Sequence, residues 1–256
     1  MRIIDAGARL IFGKLLPKLP YPVVRGPLRG SWYILGATAG EAGGVSVHLG
    51  LQEVEQSRCL TNLLHAGQVF FDVGANVGFY TLLGSRLVRG TGRVIAFEPM
   101  PRNLAFLYRH VRLNRADNVT ILPLACADAL ATELFVAGEN HALGRLETSN
   151  GGEGGSSPQS PGLLVATISL DAAAEKLGLR PDVIKIDVEG AELRVLEGAA
   201  DILTQVRPVL LLSVHSDQLR EACLAHLSER DYRIEPLNSP SNEGATEFLA
   251  RPGPTP

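Results

Sequence analysis

Short apolar runs alternate with helix-period stretches from about Leu51 onward, and this alternation limits the possible folds more than any other feature. The runs are VFFDV (69–73), RVIAF (93–97), VTILPL (119–124), VIKID (183–187) and VLLLSV (209–214), and the helix-period stretches are 52–65, 79–88, 102–114, 190–203 and 217–229. Short β-rich runs alternating with helices are typical of parallel strands that are buried on both faces. The pattern therefore predicts an α/β fold, a doubly wound, mostly parallel sheet between two layers of helices.

The charge is unevenly distributed along the 256 residues. The net charge is −3, but residues 1–30 contain six basic residues against one acid, so the segment is +5 and the remainder −8. Nucleic-acid binding needs many Lys and Arg side chains to neutralise phosphates. The acidic remainder therefore predicts no nucleic-acid partner.

We divide the chain into an N-terminal segment, 1–50, and a main domain, 51–256. In residues 1–16 the apolar side chains fall roughly on one helical stripe beside Arg2, Arg9 and Lys14. Three interpretations stay open: a helix packed on the main domain, contact of residues 1–18 with an anionic membrane surface, or disorder. The prolines at 17, 20, 22 and 27 predict a linker after it.

The segment NGGEGGSSPQSPG, 150–162, interrupts the main domain. Its Gly, Ser and Pro residues bury too little apolar surface to order themselves, so we predict a surface loop that lies near the substrate. Oligomeric state cannot be predicted from this sequence.

Cys59, Cys126 and Cys223 are few, widely spaced and odd in number. This usage is typical of reduced thiols and predicts a cytoplasmic protein, with peripheral membrane contact through the N-terminal segment as the variant. No Cys/His cluster has zinc-ligand spacing, so we expect no metal. The apolar runs are also shorter than the about 20 residues of a membrane span.

The segment VFFDVGANVGFYT, 69–81, contains the first strand of the predicted sheet and the turn that follows it. Ligands of open parallel sheets bind at such turns. Its Gly74-Ala-Asn-Val-Gly78 spacing departs from the dinucleotide pattern, because Asn76 replaces the middle glycine, and no Gly-Lys-Ser/Thr of a P-loop follows. Asp72, at the strand end, would repel a pyrophosphate and suits a cationic ligand such as S-adenosylmethionine (SAM).

Glu98 ends the next strand, VIAFEP, about twenty residues after the turn. A carboxylate at this place receives the ribose hydroxyls of an adenosine cofactor. NAD shares this ribose contact, so an NAD-dependent oxidoreductase stays open as an alternative at this point, and Asn76 and Asp72 are the features that favour SAM.

These residues and several later blocks resemble the FkbM family of SAM-dependent methyltransferases. The matching blocks are FDVGANVGFYTL, VIAFEPMPRNLAFLYRHVRLN, NVTILPLACAD and VIKIDVEGAELRVLEGA. The resemblance implies a class I methyltransferase fold, a Rossmann-like three-layer sandwich whose seven-stranded sheet has an antiparallel last strand. It also implies O-methylation of a hydroxyl on a sugar, glycolipid, polysaccharide or natural-product acceptor.

The resemblance also assigns residues to the cofactor. Asp72, Gly74, Asn76 and Gly78 would line the methionine end of SAM, and Glu98 would bind the ribose. Asp128, in ACAD, would lie beside the adenine and accept from its exocyclic amine, although a plain loop aspartate is an equal interpretation.

The segment KIDVEGAEL, 185–193, predicts the chemical face of the site. Asp187 and Glu189 end a strand next to the glycine turn, and His215 ends the following strand, so we expect these three residues to contact the acceptor and take up its proton. The alternative interpretations give these residues no catalytic role: a buried Lys185–Asp187 ion pair, a histidine that bonds only to backbone, and acids at 189 and 192 whose charge interacts favourably with a helix N-terminus.

Two further positions bear on activity. In the family, the strand after Pro208 usually ends in Leu-Glu-Ile-His, whereas LLLSVHS has Ser213 at the Glu position. We expect altered substrate handling, with a SAM-binding module that has lost activity as the alternative. His141, in AGENHALGRLE, is a second candidate for acceptor contact, or an exposed loop histidine.

Overall fold

The computed structural model of the protein describes residues 17–38, 45–137, 144–146, 162–239, 241–242 and 244–254. The predictions for residues 1–16, for His141 and for most of the 150–162 loop lie outside these ranges. None of the helices in the described part of the chain has the length and apolar character that a membrane span needs. The thiols of Cys59, Cys126 and Cys223 are free, as predicted.

The strands are numbered in chain order. They are β1 (Pro20–Pro22), β2 (Trp32–Ile34), β3 (Val69–Val73), β4 (Arg93–Phe97), β5 (Val119–Leu122), β6 (Ala125–Cys126), β7 (Ala131–Ala137), β8 (Gly144–Leu146), β9 (Leu163–Ile168), β10 (Val183–Ile186), β11 (Val209–Ser213), β12 (Tyr232–Pro236) and β13 (Glu247–Pro252).

The helices alternate with these strands over most of the main domain. They are α1 (Val45–His48), α2 (Val54–Leu63), α3 (Phe79–Val88), α4 (Pro101–Leu113), α5 (Leu170–Leu177), α6 (Glu192–Glu197), a π-helix (Ile202–Val206) and α7 (Asp217–Ser228).

Seven strands form the central sheet, in the order β12-β13-β11-β10-β3-β4-β5. The pairs β4–β5, β3–β4, β10–β3 and β10–β11 are parallel, whereas β13 runs antiparallel to both β11 and β12. This arrangement confirms the predicted α/β class and the antiparallel strand that the resemblance implied. The five strands predicted from apolar runs all lie in this sheet.

Apolar side chains alternate between the two faces of the sheet and build a core on each. Phe71, Ile184 and Leu210 belong to one buried cluster, and Phe70 and Leu211 belong to the other. Successive strand residues point to opposite faces, so both faces need a helical cover. The carboxyl ends of the parallel strands consequently open at one edge of the sheet.

The prolines of residues 17–27 do not make a linker in the described structure, which corrects the prediction. Pro20 and Pro22 lie on β1, which pairs with β2 in a two-stranded antiparallel sheet. A strand with only one partner tolerates proline, because the missing N–H faces away from the ladder. Tyr33 and Ile34 are fully buried against the main domain, and Arg86 of α3 bonds to the Arg29 carbonyl and to Ser31.

A third sheet in the described structure was not predicted either. It has four strands in the order β6-β9-β7-β8, and all four follow β5 in the sequence. Its strands are short or half exposed, as in β9, where buried and exposed residues alternate. The predicted helix over 190–203 is also divided in the structure, into α6 and the π-helix.

Candidate functional site

The glycine turn, residues 74–78, connects β3 to α3. Three of its residues have positive φ: Gly74 at 81°, Asn76 at 50° and Gly78 at 95°. The backbone N–H groups of Gly74 and Ala75 both donate to the Phe97 carbonyl of β4, at 3.0 and 2.9 Å. The turn is therefore fastened to the neighbouring strand by its own backbone.

Gly74 also brings the turn into contact with the strand on its other side. A Cβ added to Gly74 would lie 1.8 Å from the backbone oxygen of Asp187, the residue directly after β10. Only glycine allows this approach together with a positive φ. The turn is therefore in direct backbone contact with Asp187, the first of the three residues predicted to contact the acceptor.

Glu98 is buried at the end of β4 and holds the loops around it. One carboxylate oxygen accepts from the backbone N–H of Asn76 at 2.8 Å, and the other accepts from the N–H of Met100 at 2.9 Å and from the Asn103 amide at 3.3 Å. A carboxylate has about four acceptor positions, so these three bonds leave room for about one more. Burial raises the pKa of Glu98 to about 7, although the bonds from Met100 and Asn76 oppose the shift.

Asp72 lies on β3 and is completely buried. Its Oδ2 accepts from the Thr81 hydroxyl at 2.6 Å, and its Oδ1 is buried with no hydrogen-bond partner in the described part of the chain. Burial raises the pKa of this carboxyl, against the opposing effects of Lys185 and Thr81. A buried acceptor atom without a donor suits an enclosed water molecule, which can in turn bond to a ligand ammonium group.

Lys185 is the cation beside these acids. Its Nζ lies 2.9 Å from Asp187 Oδ2 and 4.6 Å from the centre of the Tyr80 ring. It pairs across the sheet with Asp72. The buried ion pair that the sequence offered as one interpretation is therefore present. Burial opposes the charge on Lys185, but Asp187 and Asp72 outweigh it and raise the pKa of the ammonium.

The Asp187 cluster, Asp187, Glu189 and His215, brings the three predicted acceptor-side residues together. His215 Nε2 lies 3.5 Å from Asp187 Oδ1 and 3.3 Å from Glu189 Oε2. Glu189 has a φ of +56°, a left-handed conformation that is costly for a residue with a side chain. The loop after β10 thus holds the Glu189 carboxylate opposite the histidine that follows β11.

Glu192 fixes the other side of the histidine ring. Its Oε1 lies 2.7 Å from His215 Nδ1 and accepts from the Gly190 N–H at 2.9 Å. Glu192 is completely buried, so the sequence-based interpretation of it as a helix N-terminal acid was incomplete. Glu192 orients the ring so that Nε2 points to the two other carboxylates.

Three acids around one imidazole shift its titration. Burial opposes the charged form of His215, but the bond to Glu192 and the charges of Glu189, Glu192 and Asp187 raise the pKa to about 9. For Asp187, burial is likewise outweighed, by Lys185, and the pKa is lowered. The cluster is therefore a set of mutually stabilised charges.

A cavity of about 480 Å³ opens over the Asp187 cluster. Five of its lining residues are acidic, and Arg220 lies among them in an ion pair with Asp217. The lining comes from the ends of β10 and β11, the start of β13 and the N-termini of α2 and α7: Glu53, Asp187, Glu189, Ser213, Val214, His215, Ser216, Asp217, Arg220, Ala245, Thr246 and Glu247. The site thus has an open, polar and acidic side next to the glycine turn.

Ser213 lines this cavity at the position where the family usually has glutamate. Its hydroxyl accepts from the Gln56 amide of α2 at 3.2 Å. Its partner across the antiparallel pair is Glu247 of β13, which also lines the cavity. A carboxylate is therefore present one strand away from the position that lacks it.

Asp128 lies apart from the Asp187 cluster, after β6. Its Oδ1 accepts from Arg194 of α6 at 2.8 Å, and the same arginine makes two bonds of 2.7 Å with Glu133. Its predicted contact with adenine stays a prediction, and this ion pair gives the residue a structural contact as well.

Glu53, Glu192 and Glu247 were missed as site residues by the sequence reasoning. Glu247 lies on a strand that was not predicted, and Glu53 precedes α2 far from the other motifs. Glu192 had a visible signal, since it lies three residues after Glu189 within the charged block 185–193. Its pairing with His215 depends on the adjacency of β10 and β11, which spacing alone does not give.

Two curated proteins are similar to this chain in sequence. AmbE, an AMB antimetabolite synthetase of Pseudomonas aeruginosa, is 32% identical over 184 residues, which is 56% of this chain and 8% of AmbE. The hexuronic acid methyltransferase AglP of Haloferax volcanii is 29% identical over 162 residues, 62% of this chain and 61% of AglP. The chain therefore spans less than two thirds of either relative.

A solved structure and a family model complete the comparison. The methyltransferase FkbM of Methylobacillus flagellatus has the same fold, with a TM-score of 0.50, 19% identity, and coverage of 77% of this chain and 51% of that chain. The family model of the methyltransferase FkbM domain matches residues 72–234, from Asp72 at the end of β3 to β12. Because this match covers more than half of the 256 residues, the chain belongs to the FkbM family of SAM-dependent methyltransferases.

Proposed function

We propose that the chain catalyses SAM-dependent O-methylation of a hydroxyl group on a sugar, glycolipid, polysaccharide or natural-product acceptor. The observation that carries the proposal is the Asp187 cluster, in which one oxygen of Asp187 and one of Glu189 both lie within 3.5 Å of His215 Nε2. It faces the cavity and is joined through Asp187 to the glycine turn.

The cofactor occupies the edge of the sheet beside the glycine turn. Gly74, Asn76 and Gly78 allow close approach of the methionine end, and Asp72 Oδ1 supplies the buried acceptor for its ammonium, directly or through water. Glu98 receives the ribose through the acceptor position that its three protein bonds leave. Asp128 lies toward the adenine.

The acceptor binds in the cavity with its hydroxyl oxygen about 3 Å from the sulfonium methyl group, in line with the sulfur–carbon bond. The oxygen–carbon bond forms as the sulfur–carbon bond breaks, and the sulfonium becomes the neutral thioether of S-adenosylhomocysteine. The hydroxyl proton passes to the Asp187 cluster, whose three side chains also align the oxygen.

Two observations support a hydroxylated, sugar-like acceptor. The cavity is lined mainly by polar side chains that donate to and accept from hydroxyl groups, and AglP, one of the relatives, is a hexuronic acid methyltransferase. Membership in a methyltransferase family also favours SAM over NAD. A module that binds SAM without transferring the methyl group stays as the second candidate, because of Ser213.

The test is methyl transfer from labelled SAM to a panel of neutral sugars, hexuronic acids, amino sugars and glycolipids. We expect labelled methyl ether in at least one acceptor, and its loss in His215→Ala. The matched control is His65→Ala, since His65 is an exposed histidine away from the site. SAM that binds tightly but transfers no methyl group to any acceptor class, in any extract of the source cell, would support the inactive module instead.

A further inference from the structure

The Asp187 cluster also has the composition and spacing of a set of metal ligands. Each of Asp187, Glu189 and His215 offers one ligand atom, and the three atoms lie within 4.8 Å of one another. We propose that this cluster binds one divalent transition-metal ion, such as Mn²⁺ or Zn²⁺, although the spacing of Cys and His in the sequence predicted no metal site.

The distances within the cluster support a shared ion. Nε2 of His215 lies 3.3 Å from Glu189 and 3.5 Å from Asp187, whereas Nδ1 makes a short bond of 2.7 Å to Glu192. Ligand atoms held at about 2.1 Å from one metal ion lie about 3.0 to 3.4 Å apart in octahedral or tetrahedral geometry. The Nε2 separations are close to that spacing.

Glu192 is the independent feature that indicates a metal. A histidine that binds a metal through one ring nitrogen usually donates its other N–H to a carboxylate, which fixes the tautomer and orients the ring. Glu192 is completely buried and bonds to Nδ1, so Nε2 is the ring nitrogen that faces Asp187 and Glu189.

The residues around the Asp187 cluster also suit a divalent metal ion. Lys185 occupies the other oxygen of Asp187 at 2.9 Å, which leaves Oδ1 for the ion. The three ligands are about one third exposed or less, and they open into the cavity, where coordination positions are accessible to an acceptor. Mixed carboxylate and imidazole ligands suit Mn²⁺, Fe²⁺ and Zn²⁺ better than Ca²⁺.

A metal here would hold the acceptor hydroxyl and lower its pKa, which assists deprotonation before methyl transfer. This role rests on the proposed function, but the binding of the metal does not. An assay of metal binding without acceptor therefore separates a wrong metal assignment from a wrong reaction.

The experiment is a titration of the metal-stripped full chain with Mn²⁺, followed by electron paramagnetic resonance and by calorimetry. We expect one bound Mn²⁺ per chain, displaced by Zn²⁺. Glu192→Gln should weaken Mn²⁺ binding by about 10- to 100-fold, and Asp187→Asn and His215→Ala should weaken it further. Glu247→Gln is the matched control, since it removes a carboxylate from the same cavity but outside the cluster.

Circular dichroism of each variant, together with SAM titration, shows whether it is folded. Absence of Mn²⁺ and Zn²⁺ binding to the folded wild-type chain at millimolar metal would overturn the proposal. Equal loss of binding in Glu247→Gln and His215→Ala would overturn it too, because the ion would then be held by the general negative charge of the cavity. If methyl transfer proceeds unchanged without metal, the metal site still stands but has no role in catalysis.

Discussion

The glycine turn and the Asp187 cluster meet at Asp187 but are built by different means. The turn is backbone: positive φ angles at Gly74, Asn76 and Gly78, amides bonded to β4, and a buried Glu98 that fastens it. The cluster is partly exposed side-chain charge from two strand ends. Residues with positive φ and close backbone contacts cannot be replaced without disturbing the fold. A partly exposed charged side chain can be replaced without disturbing the fold, but its chemical role is then lost. In the proposed function, the turn is therefore the rigid side of the site, and the cluster is the side that determines chemistry and specificity.

Gly74→Ala should break this comparison most strongly, because it damages both sides together. The new Cβ would collide with the Asp187 carbonyl and the backbone has a φ of +81°. We expect the free energy of unfolding to fall by more than about 3 kcal/mol and SAM binding to be lost. Gly90→Ala is the control, since a Cβ there meets no atom within 4 Å. Thermal unfolding and calorimetry measure both effects, and normal SAM affinity in Gly74→Ala would show that the turn is not the SAM site.

His215→Ala should separate the two sides. Loss of a group that positions the acceptor and takes part in proton transfer should lower the turnover number by at least about 100-fold. The dissociation constant for SAM should change by less than about twofold, because the ion pairs of the ring among the described residues are with Asp187, Glu189 and Glu192 and not with the glycine turn. Single-turnover transfer and SAM titration make the two measurements. An equal loss in both would mean that the cluster belongs to the cofactor side.

His110 tests how far the rigidity of the turn depends on the N-terminal hairpin. Its Nε2 accepts from the Ile34 N–H at 2.9 Å, so Nδ1 carries the proton and donates to the Val77 carbonyl of the turn at 2.6 Å. The neutral ring is stacked on Tyr33 with 4.0 Å between centres. It therefore joins β2 to the glycine turn.

Burial lowers the pKa of His110 to about 4. The unfolded chain then binds more protons than the folded chain between pH 4 and 6.5, so stability is complete above about pH 7 and falls as the pH falls. We expect a loss of about 2 kcal/mol from pH 7.5 to 5. Urea unfolding should show this slope in the wild type and in His65→Gln, and a flatter one in His110→Gln. Equal slopes in all three would refute the assignment.

Glu98 should make SAM affinity depend on pH. Burial raises its pKa to about 7 in the free protein, and ribose hydroxyls donate to the ionised form. Binding that lowers this pKa becomes weaker as the pH falls below 7, by at most about tenfold per unit. Calorimetry between pH 8 and 6 should show this slope, and Glu98→Gln should bind SAM more weakly without it. A pH-independent wild-type affinity would mean that the ribose does not reach Glu98.

Ser213→Ala should have the smallest effect. It removes the acceptor of the Gln56 amide, a loss of about 1 kcal/mol in the free energy of unfolding. Turnover should change little if the family's missing carboxylate is supplied by the neighbouring Glu247. Ser213→Glu is the sharper companion, since an added carboxylate beside Glu247 should alter acceptor preference while SAM affinity is retained. Chemical denaturation and the acceptor panel measure these changes.

The sequence predicted the parallel core well because its strands are buried on both faces. Runs such as VIAF, 94–97, are apolar on both faces, and Val69–Val73 and Arg93–Phe97 have the predicted bounds. Strands β12 and β13, at the antiparallel end, alternate polar and apolar residues or contain proline, so their signal is weak. The hairpin β1–β2 was mistaken for a linker because prolines at an edge strand look like prolines in a coil.

Within the site, the sequence predicted residues that lie in one segment or at the ends of neighbouring strands. It did not predict contacts between residues that are far apart in the chain. Asp72, Gly74 and Gly78 follow from one continuous turn, and the proximity of His215 to Asp187 follows from neighbouring strands. The contact of Glu192 with His215, and the entry of Glu53 and Glu247 into the cavity, join residues that are far apart in the chain. Such contacts depend on the crossing of helices and on the position of β13.

The sequence by itself determined the fold class, the family and the glycine turn, because each depends on apolar periodicity or on backbone conformations that only certain residues adopt. The tertiary structure decided which charges face one another: Lys185 against Asp187 and Asp72, Glu192 behind His215, and Nε2 between two carboxylates. The physical reason is the distance along the chain over which each effect acts. Backbone preference acts within a few residues, whereas the charge, pKa and metal affinity of a side chain are set by whatever the fold brings within a few ångströms.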